Sequence, residues 1–431
     1  MAILPRFADK WLLSKILDAT GSAPVRLLVK GGAAISPPGG SPIATMVIQD
    51  RGTLTGLLRD PEVSFGDAYM DGRIDVEGDL VRFLEAIYVA MERSSNVGKW
   101  YSKLASKCLD LAQDNSRDGS RTNIHRHYDL GNDFYKLWLD DQLLYTCAYF
   151  PTPSSTLEHA QIAKMDHVCR KLKLQPGETV VEAGCGWGAL ALHMAREYGV
   201  SVKAYNVSHE QIAFARERAR AEGLSDRVEY IEDDYRAISG KFDVFVSVGM
   251  LEHVGLDHFQ EFSEVIHRSI GDTGRGLLHF IGRNYPAVFS RWIRKHIFPG
   301  GFVPSLRQSL RVLEPRSYQV LDVENLRMHY ATTLEHWLER FEKSKHQVTA
   351  MYDSRFVRAW RLYLAGSIAA FRVGHLQLFQ IVFTGSQREP IFWTRDPLYA
   401  EAKHPAPAMV ADGTVVVEQV REKVRWTHAM S

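Results

Sequence analysis

At 431 residues, with 45% hydrophobic and 24% charged side chains, the chain is long enough for two or three domains and has an ordinary globular composition. Lys plus Arg (52) nearly balance Asp plus Glu (51), which excludes a global field steering the chain to nucleic acid and leaves only local attraction to acidic surfaces. No apolar run reaches the roughly 18 residues of a spanning helix, and no long apolar region precedes a small-residue cleavage site, so a soluble protein is expected.

In chain order, "VRLLVK" and "ATMVIQ" read as short strands around the turn-rich "KGGAAISPPGGSP". "DPEVSFGDAYMDGRIDVEGDLVRFLEAIYVAM" follows and ends in an amphipathic helix. This zone forms a small α+β N-terminal domain over 1–111, and the polar stretch at 112–123 is a linker. From 124 to 385 apolar strands ("ETVVEAG", "VSVKAYNV", "RVEYIEDDY", "FDVFVSVGM", "GRGLLHFIG") alternate with helical stretches such as "SHEQIAFARERARAEG". That alternation predicts a parallel, doubly wound α/β domain. Residues 386–431, rich in Pro and polar side chains, read as a surface extension. The four cysteines, Cys108, Cys147, Cys169 and Cys185, lack C-x-x-C or metal-like spacing, as reduced cytosolic thiols do.

"VEAGCGWG" places Gly184, Gly186 and Gly188 directly after a strand, where ligands bind in open α/β sheets. The spacing is G-x-G-x-G, with Trp187 inside it, rather than the dinucleotide G-x-G-x-x-G. With its preceding acid it resembles motif I of S-adenosylmethionine-dependent methyltransferases, which implies a Rossmann-like class I methyltransferase fold. A plain tight turn before a packed helix would look the same locally. Polar residues after the following strands support a site: Asn206, Ser208 and Gln211, then Asp234 and Tyr235, then Glu252 and His253, with His279 on the fifth strand. The acid that often holds ribose hydroxyls after the second strand is missing from "AYNVSHEQ".

"HRHYDLGNDFYKLWLDDQLLYTCAYF" and "VGMLEHVG", followed in order by "LLHFIGRN", "IFPGGFVPS" and "FRVGHLQLFQIVF", strongly resemble the cyclopropane fatty acid synthase family and the related mycolic acid cyclopropane synthases. Residues 1 to 110 resemble the smaller N-terminal domain of the phospholipid-modifying branch. The resemblance implies transfer of a methylene from S-adenosylmethionine across a cis double bond of a phospholipid acyl chain. An alkene is a poor nucleophile, so the sulfonium methyl must lie in line with the π bond. A carbocation results, and a base must then remove a proton to close the ring. The family uses bound bicarbonate, which avoids placing a methylatable base there. The resemblance maps that site to the side chains of Glu252, His279 and Tyr330 and to the backbone amides of Cys147 and Ile281. Bicarbonate beside Glu252 must share a proton with it, and the rings of Tyr145, Tyr330 and Tyr149 are placed to stabilise a transient cation. For S-adenosylmethionine the resemblance implies Tyr145 and Thr146 over the methionine part and Gly184 and Gly186 beneath it. Asn206 and Gln211 fall near the ribose, and Tyr235 and Arg236 near the adenine. No metal is implied.

Each residue also has a plainer reading. Cys147 is a buried inert thiol, His279 a satisfied core histidine, Glu252–His253 a helix cap, and Tyr330 packing. Their joint occurrence in family order favours the site. A methyl- or methylene-branched product from the same cation, or a non-catalytic lipid-binding protein, are the alternatives.

A bilayer substrate without a spanning helix requires local docking. In "FSRWIRKHIFPGGFVPS", Arg291, Arg294 and Lys295 stand beside Phe289, Trp292, Ile293, Ile297 and Phe298. That chemistry suits a lipid head-group surface and an acyl entrance. In "RFADKWLLSKIL", Arg6, Lys10 and Lys15 accompany Phe7, Trp11, Leu12 and Ile16. Either segment could instead be an amphipathic packing helix. The expected setting is cytoplasmic, peripheral on the inner face of the membrane, with unsaturated phospholipid as partner, no nucleic acid, and a homodimer left open.

Overall fold

A computed structural model describes residues 6–37, 40–93, 130–387 and 393–399. The expected linker at 112–123, Cys108, and most of the 386–431 extension lie outside the described residues, as do 125–129 at the head of the first family motif.

The first zone folds as expected into a four-stranded sheet with helices. Its strands are β1 (Arg26–Val29), β2 (Ala34–Ile35), β3 (Thr45–Ile48) and β4 (Ile74–Glu77), in the order β2-β1-β3-β4. The Arg51–Arg59 helix starts at Asp50, whose carboxylate accepts from the Thr53 amide at 2.9 Å, and Asp60 caps the next helix, Pro61–Met70. The Leu80–Arg93 helix closes the zone.

The second sheet has seven strands. Those expected are β5 (Thr179–Ala183), β6 (Ser201–Asn206), β7 (Val228–Glu232), β8 (Val244–Val248) and β9 (Arg275–Gly282). They are parallel to one another, and β8 is buried along its whole length because helices cover both faces. β10 (Gln319–Asn325) and β11 (Gln377–Thr384) complete the order β10-β11-β9-β8-β5-β6-β7. Both pair antiparallel, so the sheet is mixed rather than wholly parallel. The order reverses at β5, which opens a crevice at the carboxyl ends of β5, β6 and β8.

One apolar cluster runs through both sheets' layers, joining Leu13, Ile48 and Phe83 to Trp138, Trp337 and Trp360. The Ser354–Arg372 helix is the main strut. Arg358 lies 4.2 Å over the Tyr69 ring and bonds Asp75 at 2.7 Å, Arg355 pairs with Asp71 at 2.8 Å, and Arg372 with Glu85 at 3.0 Å.

This docking shows where one of the two cationic–aromatic segments lies. Arg291 is ion-paired to Asp60, and Lys295 and His296 each contact Asp67 at 2.7 Å. Trp292 is buried flat against Gly66. The Arg291–His296 helix therefore packs on the N-terminal zone, as an amphipathic packing helix would: Arg291, Lys295 and His296 meet its carboxylates and the indole meets a glycine. In the Arg6–Ala19 helix, Leu13, Ile16 and Leu17 are core, while Trp11 is 60% exposed between exposed Lys10 and Lys15. The tail is also less free than expected, since Arg395 pairs with Asp322 at 2.6 Å and Leu398 is buried.

Candidate active site

Two adjoining sets of side chains occupy the crevice. The first lines a cavity formed by Tyr145, Thr146, Gly184, Gly186, Asn206 and Gln211, six residues expected from sequence, together with Lys164, Glu182, Met250 and His253. Gly184 has φ +84°, and a Cβ there would stand 3.0 Å from that of Met250. A Cβ on Gly186 would meet no atom within 4 Å, so bare backbone faces the open cavity. Asn206 donates from Nδ2 to Gln211 Oε1 at 2.6 Å, leaving the buried Gln211 Nε2 without a partner among the described residues. A ligand hydroxyl would satisfy it, in keeping with the ribose expectation.

Tyr235 and Arg236 do not line this cavity. Tyr235 packs edge-on to Phe262, and Arg236 is held by Asp234 at 3.0 Å and Glu261 at 2.8 Å. Trp187, the bulky residue in the loop, also lines the cavity and donates from Nε1 to Asn132 Oδ1 at 2.7 Å, which fastens the Asn132–Lys136 helix to the glycine turn.

The second set gathers around β9. Glu252, at the start of the short Leu251–Val254 helix, does not act as a cap; its Oε1 accepts from the Ile281 amide at 2.6 Å. That amide, expected to hold bicarbonate, is thus engaged by the carboxylate. Burial pushes the Glu252 carboxyl up to about 7, opposed by that backbone bond. Its Oε2 is buried with no partner among the described residues. His279 lies two residues before Ile281, on the same face of the strand. Its Nδ1 faces the amide nitrogen of Gln380 on β11 at 3.0 Å, which assigns the ring proton to Nε2. Burial holds the ring well below its usual titration range, hence neutral, and Nε2 has no partner among the described residues. The Gly249 amide donates to the His279 carbonyl at 2.8 Å, tying the two sets together.

Cys147 is fully buried, and burial raises its thiol above the ordinary range, which removes it as a nucleophile. Its sulfur lies 3.1 Å from the Ala148 carbonyl. Tyr330 packs on Phe371 at 4.7 Å and Trp337 at 6.0 Å, and Trp337 also meets Tyr145 at 5.3 Å. These rings form an aromatic wall, and Tyr145 is pinned by a 2.9 Å hydroxyl contact with Tyr363. Tyr149 is excluded from that wall, because His167 and His329 stack on it at 4.3 and 4.9 Å.

Sequence reasoning placed His253 among the polar residues at the strand ends, but it missed Lys164 and Met250 as lining residues and gave Glu182 no role of its own. Lys164 carried a signal: it follows Leu157, Ala160 and Gln161 on the apolar stripe of its helix.

The family model described as mycolic acid cyclopropane synthetase matches residues 115–381, and a domain of unknown function matches 13–97. A probable fatty acid methyltransferase of Pseudomonas putida is 36% identical over 373 residues, covering 84% of this chain and 93% of that protein. The cyclopropane-fatty-acyl-phospholipid synthase of Escherichia coli is 36% identical over 361 residues, covering 83% and 91%. Among solved structures, a mycolic acid cyclopropane synthase complexed with SAH and CTAB superposes with a TM-score of 0.58 at 30% identity, covering 61% of this chain and 97% of that one.

Proposed function

Because the chain belongs to the mycolic acid cyclopropane synthetase family, we propose that it transfers a methylene from S-adenosylmethionine to the cis double bond of an unsaturated phospholipid acyl chain, forming a cyclopropane ring, with bound bicarbonate as the base. The chain is a methyltransferase by family and fold, and its relatives act on lipid acyl chains by name. The observation that carries the finer reading is the pair of buried, unpartnered atoms Glu252 Oε2 and His279 Nε2. One is an acceptor and the other, bearing the ring proton, a donor. A small oxyanion that both accepts and donates, as bicarbonate does, matches that pair.

S-adenosylmethionine supplies an electrophilic methyl group, and bicarbonate a base too weakly nucleophilic to be methylated readily. The chain's own residues do the rest. Gly184 and Gly186 let the donor approach the backbone, and Tyr145, fixed by Tyr363, sets one wall of the reacting space. Glu252 accepts a proton at Oε2 while Ile281 holds Oε1. The neutral His279 donates without becoming a competing cation. Tyr145, Tyr330 and Trp337 exclude water from the electron-deficient carbon and stabilise it through their ring faces.

The substrate is met at a membrane surface. No helix of the described residues is long and apolar enough to cross a membrane, and the exposed Trp11, flanked by exposed Lys10 and Lys15, offers a lipid contact. The test is incubation of purified protein with unsaturated phospholipid vesicles and methyl-deuterated S-adenosylmethionine. A cyclopropane fatty acid that has lost one methyl deuterium supports the reading. A methyl-branched product would replace ring closure, and no methyl incorporation would end the assignment.

A further inference from the structure

Lys164 is 1% exposed on the inner face of the Leu157–Leu172 helix, and its Nζ donates to Thr146 Oγ1 at 2.9 Å. An ammonium has donors only, so the hydroxyl oxygen must accept, and the Thr146 proton has to point elsewhere. Both residues line the cavity above Gly184 and Gly186. The loop carrying Thr146 is itself held rigid. Gln161 donates from Nε2 to the carbonyls of Leu144 and Thr146 at 3.2 and 3.0 Å, and Asp140 accepts from the Leu144 amide at 2.9 Å.

Glu182, 2% exposed, lines the same cavity from the end of β5, with Oε2 unpartnered. No ion pair joins Lys164 to Glu182 among the described residues, and both line the cavity. Burial pushes the lysine down to about 8 and the carboxyl up to about 8, each partly restrained by the other's charge. An α-amino acid group, with a carboxylate and an ammonium two bonds apart, would relieve both sites at once.

We propose that Lys164 is a positioning residue that fixes the Thr146 hydroxyl as a donor into the cavity, and thereby selects ligands bearing an amino-acid carboxylate. This rests on the reading of the cavity as the S-adenosylmethionine site. A merely structural lysine would stabilise the helix without caring which ligand is bound.

The experiment compares two probes by calorimetric titration. S-adenosylhomocysteine carries the amino-acid end; 5′-deoxy-5′-methylthioadenosine has the same nucleoside and thioether without it. Lys164→Met and Thr146→Val should each weaken S-adenosylhomocysteine by about 10-fold or more, as loss of a hydrogen bond to a charged group does. Methylthioadenosine should change by less than about twofold, and the double variant should be no weaker than the worse single one, because both remove one shared interaction. Equal losses for the two probes, or no loss, overturn the inference. If Lys164→Met fails to fold, Thr146→Val decides by the same selectivity. Wild-type protein that binds neither probe would instead overturn the reading of the cavity.

Discussion

Glu252→Gln is expected to raise stability above neutral pH while removing turnover. The carboxyl is fully enclosed, and burial moves it from 4.5 to about 7. Each pH unit of displacement corresponds to about 1.4 kcal/mol, so the ionised form is disfavoured in the fold by on the order of 3 kcal/mol. Below 4.5 the group is protonated in both folded and unfolded chains and contributes nothing. As pH rises from 4.5 to about 7 the unfolded chain ionises first and stability falls; above 7 the full penalty applies. Gln keeps the Oε1 acceptor for the Ile281 amide and never ionises, but its buried NH2 group inherits the place of Oε2, which has no partner. That partly offsets the gain, leaving about 1–3 kcal/mol at pH 8 and close to zero at pH 5. Thermal unfolding of both proteins at the two pH values measures it. Turnover in the deuterated assay should fall by orders of magnitude, with S-adenosylhomocysteine affinity retained. A stability difference that does not widen between pH 5 and pH 8 would refute the burial argument.

Three further outcomes follow from contacts away from that carboxylate. Gly66→Val would put a Cβ 2.2 Å from Trp292 Cδ1, so it should lower stability by about 1–3 kcal/mol in urea unfolding and loosen the N-terminal zone, seen as faster proteolysis. Gly188→Ala combines a φ of +82° with a Cβ 2.5 Å from the Tyr230 hydroxyl, which itself bonds the Gly188 carbonyl at 2.6 Å; a loss of about 2 kcal/mol or more is expected, together with weaker S-adenosylhomocysteine binding. Reversing Arg291 and Lys295 to Glu should leave binding to anionic vesicles near wild type but increase the hydrodynamic radius, since Asp60, Glu62 and Asp67 would then repel the helix; vesicle binding lost at unchanged radius would restore the lipid-facing reading.

The five parallel strands were legible because burial on both faces leaves continuous apolar runs, as in "VFVSV" of β8. β10, "QVLDVEN", is only partly buried and carries two acids, so it reads as a loop until its pairing with β11 is known. Glu252, His279 and Tyr330 were legible as a family pattern, yet what sets the state of the Glu252 carboxyl is tertiary: Ile281 takes one oxygen, and enclosure strands the other. Lys164 escaped notice because a lysine ordinarily marks a solvated face. Its meaning depends on Thr146, 18 residues earlier in the chain and adjacent only after folding.

The Arg291–His296 segment ties the N-terminal zone to the neighbourhood of Glu252. Cations beside aromatics suit a lipid surface and an acidic protein face equally well; only the carboxylates of Asp60 and Asp67, far away in sequence, separate the two. Once docked, the segment has consequences for the site. The chain leaves β9 at Gly282 and bonds Arg283 to the Pro304 carbonyl at 2.9 Å, and Phe302 donates its amide to the Glu252 carbonyl at 2.8 Å. Between those two anchors lies the Arg291–His296 helix, clamped by Asp60, Asp67 and Gly66. The N-terminal zone thus holds the far side of the loop whose near side fixes Glu252. Individually its exposed ion pairs are weak, about 0–1 kcal/mol each, but they act on one short helix together with a buried indole. A displacement of that helix would reach the carboxylate through a single hydrogen bond. The same ion pairs hold Arg291 and Lys295 against the N-terminal zone and so steady the loop that carries Phe302 to the Glu252 carbonyl.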